Sequence, residues 1–433
     1  MKASLLKRDY LIILGVALAV RIAYGAAVDG WGRFSGQGYT EYMLVGERML
    51  QHGTLVSPLV GDEAPVAPSA MMPPAYAVLI AALYGLFGVR SFSATLIAQL
   101  INAVAMSLAA VFAGNTADRL AGRRAGWIAA GLVALQPALV AYTEYIWDTS
   151  LFVFGTALTV WWSLRLGAGG AGRKRWFIFG LFLGGLALLN PALTVAYPLL
   201  VLWPVSRGHE WNGRAIARAA GFAACGWLVF IGPWTVRNYL QFGELFYVRS
   251  GLPHELWLGS CPEADTSRSD VFVQQFALSN AEVRGEVTRI GEFAYLTQCG
   301  RRAAAAIASN PWRFARLVGL RTVDFWAGTV FTHTPRGGDP WPHSKPRAAT
   351  LLFFSLETGL LLILFLIRGR KDRDGRWLLG VIVVFSLIYC ITHVQIRFRI
   401  PIEPIVAVLL SVLLVQSRHK GDRAAHDRKS DVP

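Results

Sequence analysis

The sequence predicts an all-α polytopic membrane protein with about ten transmembrane helices. It also predicts juxtamembrane helices in the first external loop and a small external domain. Three observations carry this. Of 433 residues, 54% are hydrophobic and only 16% charged, where a soluble chain carries about 25% charge. Several apolar runs approach the roughly 20 residues that a helix needs to cross a bilayer. The basic residues behind the net charge of +15 cluster in short connectors between those runs: Arg119, Arg123 and Arg124; Arg173, Lys174 and Arg175; and Arg368 to Arg376. That is the positive-inside pattern. It argues for a bilayer, and against nucleic acid, as the partner of this charge.

Taken in order, the first span is expected at 11–28, after a basic amino terminus with Lys2, Lys7 and Arg8. No small-residue cleavage site follows it, so it is read as a span and not as a signal peptide. Residues 29–90 form the first external loop. Its apolar run at 75–87 is shorter than a span. If that run crossed the membrane, the basic connectors would change sides, so it is placed along the outer face. Spans follow at 92–116, 125–142 and 150–166. A short up-and-down pair at 176–189 and 192–205 is hinged at Asn190-Pro191, and the next span is 219–234. Residues 1–234 are thus read as a transmembrane core and 235–350 as an external domain. The carboxy-terminal spans, at 351–367, 377–392 and 400–416, make up a unit at 351–416. The charged tail, 417–433, is read as cytoplasmic and disordered. Both termini fall inside, and the localisation expected is the plasma membrane.

Ionisable residues beside a bilayer are informative, because the surroundings penalise them. The first loop offers Glu41 and Glu47 in GQGYTEYMLVGERMLQHG, then Asp62 and Glu63. The second outer loop, YTEYIWDTS, offers Glu144 and Asp148, which share one face if the loop is helical. The last loop, HVQIRFRIP, places Arg397 and Arg399 outside, against the charge bias, and anion binding is the simplest reason. One of the two is expected in a site more than both. Blander readings stand beside these. Glu41 and Glu47 suit a solvated helix face, and Asp148 suits a helix cap. Arg237, after Pro233-Trp234, suits an interface anchor. His254 and His393 are weaker candidates. Within the spans, few polar groups stand out beyond Asn102 and Asn190, which disfavours a transporter. Cys261 and Cys299 are the only cysteines of the external domain and are expected to form a disulfide in an oxidising compartment. No CxxC or Cys/His ligand spacing marks a metal site.

At this point the motifs resemble a family. YTEYMLVGERMLQHG resembles the first-loop helix, and PPAYAVLIAALYGLFG the juxtamembrane helix, of the polyprenyl-phosphate-dependent glycosyltransferases of the GT-C superfamily. That group includes the protein O-mannosyltransferases and the lipid A aminoarabinose transferases. YTEYIWDTSLF resembles the second-loop acidic motif, GLALLNP the hinge, GPWTVRNYLQFGELF the exit motif and RFRIPIEP the final motif. The resemblance implies a GT-C fold and transfer of a sugar from a polyprenyl-phosphate donor, with inversion. The acceptor is a lipid, glycan or protein on the non-cytoplasmic side. Glu41 is then the expected base, with Asp148 assisting on the acceptor or on a divalent metal ion. Arg237, Arg397 and Arg399 are the expected phosphate partners. Two positions depart from the family: its usual first-loop Asp falls at Gly38, and its hinge Arg is Asn190. These departures keep open an inactive binding or assembly protein. A carrier of lipid-linked sugars is the other rival.

Overall fold

A computed structural model of the protein describes residues 6–28, 30–36, 40–60, 66–167, 172–207, 213–264, 275, 277, 279–327, 344–369 and 372–415. Gly38, Asp62, Glu63 and the charged tail lie outside these residues. Regular structure in the described residues is helical, apart from one isolated bridge between Val56 and Pro68.

The amino-terminal part comprises α1 (Lys7–Ala27), α2 (Glu41–His52), α3 (Pro74–Phe87), α4 (Phe92–Ala121), α5 (Arg123–Leu135), α6 (Pro137–Ala141), α7 (Thr149–Gly167), α8 (Arg173–Leu189), α9 (Tyr197–Ser206) and α10 (Gly213–Phe242). A 3-10 turn, Pro191–Ala196, joins α8 to α9. Four helices follow outside the apolar segments: α11 (Leu252–Leu258), α12 (Ala281–Ile290), α13 (Glu292–Ser309) and α14 (Pro311–Ala327). The chain then forms α15 (Ser344–Ile367), α16 (Arg373–Ile391) and α17 (Ile396–Val415).

Six of these helices are long and apolar enough to cross a membrane: α1, α4, α10, α15, α16 and α17. The other expected spans fall on α5, α7, α8 and α9, which are shorter or less apolar. Pro137 interrupts the expected span at 125–142, because proline offers no N–H to continue the helix. Helix α10 runs on to Phe242, through Pro233 and past the exit expected at Trp234.

Small residues let the helices approach closely, as is usual where lipid surrounds them. Ala109, Ala110, Ala113 and Ala117 of α4 are buried with Ala125, Ala129 and Ala130 of α5. A Cβ at Gly180 of α8 would lie 2.0 Å from the Ala223 carbonyl of α10, and one at Gly226 would lie 2.1 Å from that of Phe177. Helices α2 and α3 meet in the same manner. Gly46 lies on Ile80, and Tyr42, Met43 and Val45 are buried with Tyr76, Ala77 and Ile80.

Two expectations are corrected here. Cys261 and Cys299 form no disulfide; both are free thiols. Cys261 packs with Leu258, Ala264 and Leu317. Cys299 packs in another cluster, with Val287, Tyr295 and Leu296. Each serves as a small apolar side chain in its own core. Burial also pushes the thiols up, to about 12 for Cys261 and about 11 for Cys299. The second correction concerns ionisable residues within apolar helices, which are more numerous than the sequence suggests. Arg21, Glu357, Arg399 and Glu403 are all buried. Arg21 donates to the carbonyls of Ala17, Val133 and Ala134, and so caps the end of α5.

Candidate active site

The site begins with a helix cap. Thr40 has an extended backbone, and its hydroxyl accepts from the Met43 N–H, which starts α2. The same hydroxyl donates to the Ile146 carbonyl at 2.9 Å. The start of the first-loop helix is therefore tied to the second loop. Gln99 of α4 reinforces the junction, donating to Gly30 and Glu144 carbonyls and accepting from the Gly32 N–H. Gly53, with φ 68°, ends α2 in the left-handed conformation that glycine tolerates best.

This junction brings Tyr42 to Asp148, its hydroxyl donating to Oδ2 at 3.3 Å. A third element arrives through proline. Pro191 disfavours helical geometry at the preceding residue, and Asn190 is extended, at φ −155° and ψ 118°. Released from the helix, the Asn190 side chain accepts from the Ala192 N–H and donates to Asp148 Oδ2 at 2.8 Å. Asp148 does occupy the cap position of α7, since its carbonyl accepts from Phe152. Its carboxylate, however, is engaged by Tyr42 and Asn190.

These groups line a cavity of about 370 Å³, together with Glu41, Trp147, Arg249, Glu255, His393 and Arg397. Arg397 lies over the Trp147 ring, 4.4 Å from its centroid, and 5.4 Å from that of Phe398. Among acids, Glu41 exerts the strongest electrostatic pull on Arg397, with Asp148 further down the order. Across the cavity, Arg249 donates to Glu255 at 2.9 Å, and the other Glu255 oxygen lies 3.4 Å from His393 Nδ1.

Burial raises the Asp148 carboxyl to about 6, opposed by the Asn190 hydrogen bond, the Arg397 charge and the Tyr42 hydroxyl. The Tyr42 hydroxyl is itself pushed well up, first by burial and then by the nearby Asp148 charge. Glu144 is also raised, to about 7, by burial. It does not line the cavity. Residues 142–148 form turns and not a helix, so the shared face expected for Glu144 and Asp148 does not arise.

Glu41, Asp148 and Arg397, from three distant loops, thus share one cavity, with His254 and His393 in its lining. Two expected phosphate partners lie elsewhere. Arg399 is enclosed by Glu403 Oε1 at 2.6 Å, the Trp326 and Phe354 carbonyls and the Thr358 hydroxyl. Its burial among these acceptors leaves it no path to the cavity. Arg237 donates to the Ser69 carbonyl at 3.0 Å and lies between the rings of Trp234 and Phe242. With Glu292, which accepts from the Ser69 hydroxyl and the Ala70 N–H, it secures the strap that carries Met71 and Met72 to the cavity wall. Glu47 pairs with Arg90 at 2.6 Å, half-buried and outside the cavity. Sequence reading missed Arg249 and Glu255. Their only signal is a polar RSGLPHE stretch soon after the exit of α10. Among the described residues, no group of three or more His, Cys, Asp or Glu side chains is arranged to hold a metal ion.

Comparisons with known proteins bear on this arrangement. The family model described as dolichyl-phosphate-mannose-protein mannosyltransferase matches residues 14–206. No curated protein matches the sequence. The structure resembles the apo oligosaccharyltransferase of Archaeoglobus fulgidus at 14% identity and a TM-score of 0.52, covering 98% of this chain and 52% of that one. The complex of the same enzyme with Zn and sulfate gives 14% identity, a TM-score of 0.53, and coverage of 95% and 49%. ArnT from Cupriavidus metallidurans, bound to undecaprenyl phosphate, matches at 15% identity and a TM-score of 0.41, covering 98% and 81%. The chain thus spans about half the length of the archaeal enzyme. At these identities the likeness is one of fold. The resemblance to the GT-C superfamily read from the motifs is borne out by the family match and by this shared fold. So is the all-α, multi-pass membrane architecture.

Proposed function

We propose that this protein is a membrane glycosyltransferase. It moves a sugar from a polyprenyl-phosphate carrier to a lipid, glycan or protein acceptor on the non-cytoplasmic side. The observation that carries this reading is one cavity lined by the carboxylates Glu41 and Asp148, by Glu255 paired with Arg249, and by the guanidinium groups of Arg249 and Arg397. Carboxylates can accept a proton from an attacking hydroxyl. Arginines can hold charge that develops on a leaving phosphate. Met71, Met72, Phe152 and Tyr389 make much of the remaining wall apolar, which suits a donor whose chain stays in lipid.

The reaction is a direct displacement. The acceptor oxygen forms a bond to the anomeric carbon as the bond from that carbon to the phosphate oxygen breaks. The acceptor proton passes to a cavity carboxylate, and the bond electrons leave with the polyprenyl phosphate. Attack opposite the leaving group inverts the anomeric configuration. Arg397 and Arg249 neutralise the phosphate that departs, in the roles that Arg237 and Arg399 were expected to share.

Protein purified into lipid nanodiscs and incubated with sugar-labelled polyprenyl phosphates tests the reading. Transfer to an acceptor, or release of the sugar to water, is expected. Arg397→Ala and Arg249→Ala should each weaken donor binding by about tenfold or more, because each removes a charge-assisted partner. Failure to bind any polyprenyl phosphate would overturn the proposal. Binding without turnover across donors and acceptors would instead favour a binding or assembly protein.

A further inference from the structure

We propose that Asp148 is the carboxylate that takes the acceptor's proton, and that Glu41 is a positioning residue that holds Arg397 in place. The inference rests on the glycosyltransferase reading and divides the labour between two of its acids.

The two carboxylates differ in what surrounds them. Asp148 is 3% exposed, yet it borders the cavity. Only its Oδ2 is used structurally, by Asn190 at 2.8 Å and Tyr42 at 3.3 Å. Among the described residues no donor reaches Oδ1, and that atom is not sealed from the cavity. Two neutral donors from two separate elements therefore fix the plane of the carboxylate and leave one oxygen to act. No arginine forms an ion pair with it among the described residues. Glu41 stands in the opposite situation. It is half-buried at the first position of α2, lines the same cavity as Arg397 and, of the acids, acts most strongly on Arg397 through its charge. Burial raises the basicity of a carboxylate, and at Asp148 it outweighs the two neutral hydrogen bonds and the nearby arginine charges. A general base works best with a pKa near the working pH, and burial brings Asp148 to about 6. When two acids share a site, contrasting environments assign their roles.

On this assignment the acceptor hydroxyl approaches Oδ1. Its oxygen bonds to the anomeric carbon, its proton goes to Oδ1, and the phosphate departs towards Arg397 and Arg249. Glu41 has no covalent step. Through Arg397, which is also stacked on Trp147 at 4.4 Å, it sets where the phosphate rests.

Other titratable groups could imitate the pH dependence. Tyr42 from α2 and Arg249 and Arg397 from the far wall act on Asp148, and the Asp148 charge acts in turn on Tyr76 of α3 and Tyr389 of α16. His254, His393 and Glu255 line the same cavity.

The test uses the full chain in nanodiscs with one polyprenyl-phosphate sugar that the wild type turns over. If no donor is turned over, the glycosyltransferase reading itself fails, which is a distinct result. Given turnover, kcat/KM should rise with pH through a midpoint near 6 and then level. Asp148→Asn should lower kcat by about 10²-fold or more while donor binding changes only a few-fold. Asn190→Ala and Tyr42→Phe each remove a hydrogen bond that favours the charged carboxylate, so each should move the midpoint to higher pH. Tyr42→Phe deletes a single oxygen and keeps the test open should Asn190→Ala fail to fold. His393→Gln should leave the midpoint in place. Glu41→Gln should weaken donor binding through Arg397 and leave kcat within a few-fold of wild type. The proposal falls if Asp148→Asn keeps more than a tenth of the wild-type rate. It also falls if Glu41→Gln lowers kcat as far as Asp148→Asn does, or if the midpoint moves with His393→Gln and not with Tyr42→Phe.

Discussion

Arg397 and Arg399 are two residues apart and chemically identical, and the structure separates their consequences. Replacing Arg399 with Met keeps much of its length and removes its charge. The side chain is 1% exposed. Its Nε donates to Glu403 at 2.6 Å, and Nη1 to the Trp326 carbonyl at 2.5 Å and the Thr358 hydroxyl at 3.0 Å. Its Nη2 lies 3.6 Å from Glu357 Oε2, and its guanidinium lies 4.1 Å from the Phe354 ring centroid. One side chain thus joins the end of α14 and the middle of α15 to α17. Met would leave Glu357 and Glu403 buried together without their cation. Removing one partner of a buried ion pair costs about 3–5 kcal/mol, a large part of the roughly 5–15 kcal/mol that holds a folded protein. Thermal unfolding in detergent should therefore fall steeply for Arg399→Met, while the protein that remains folded binds donor normally. Adding Glu357→Gln and Glu403→Gln should recover most of the loss. Arg397→Met should do the reverse, leaving unfolding nearly unchanged and weakening donor binding. If Arg399→Met unfolded like wild type and lost donor affinity, the enclosed network would be wrong and Arg399 would belong to the site.

Asp148 should cost stability for the sake of its chemistry. Its carboxyl rises from 3.8 to about 6 on folding, so the penalty for charging it is absent below 3.8, grows as pH rises and is complete above 6. At about 1.4 kcal/mol per pH unit, Asp148→Asn should stabilise the protein by up to about 3 kcal/mol at pH 7.5 and by little at pH 4, read from unfolding at both pH values. Gly180→Ala should lower the unfolding temperature, because its Cβ would stand 2.0 Å from the Ala223 carbonyl; an unchanged temperature would mean that α8 and α10 pack less closely. Cys261 and Cys299 should both be recovered as free thiols by mass spectrometry. They should resist alkylation at pH 8 until the protein is denatured, since burial raises both. A bonded pair would refute their separate packing.

Several features were legible in the sequence because their causes are local. Apolar runs of sufficient length become helices in lipid wherever they occur, because a lone segment can satisfy its backbone there only within itself. Thr40 and Gly53 mark the ends of α2 by their own capping chemistry. Pro191 frees Asn190 by its effect on the preceding residue. The break at Pro137 is equally local, although the sequence reading ran a span through it. The motif order also carried the GT-C resemblance.

What the tertiary structure decided was the partner of each ionisable group. Asp148 meets Tyr42 and Asn190 across separations of 106 and 42 residues, and Arg399 meets Trp326 across 73. Nothing near Arg397 or Arg399 in the chain says which one faces a cavity and which is enclosed. That depends on whether α14 and α15 or Trp147 lies against it. The same holds for Glu357 and Glu403, which look like isolated charges in apolar runs until Arg399 stands between them. It holds too for Cys261 and Cys299, which sequence context pairs and separate cores keep apart. A charge or thiol is tolerated in a low-dielectric interior only through its immediate neighbours. Those neighbours are supplied by distant segments, so their identity became readable only once the helices were assembled.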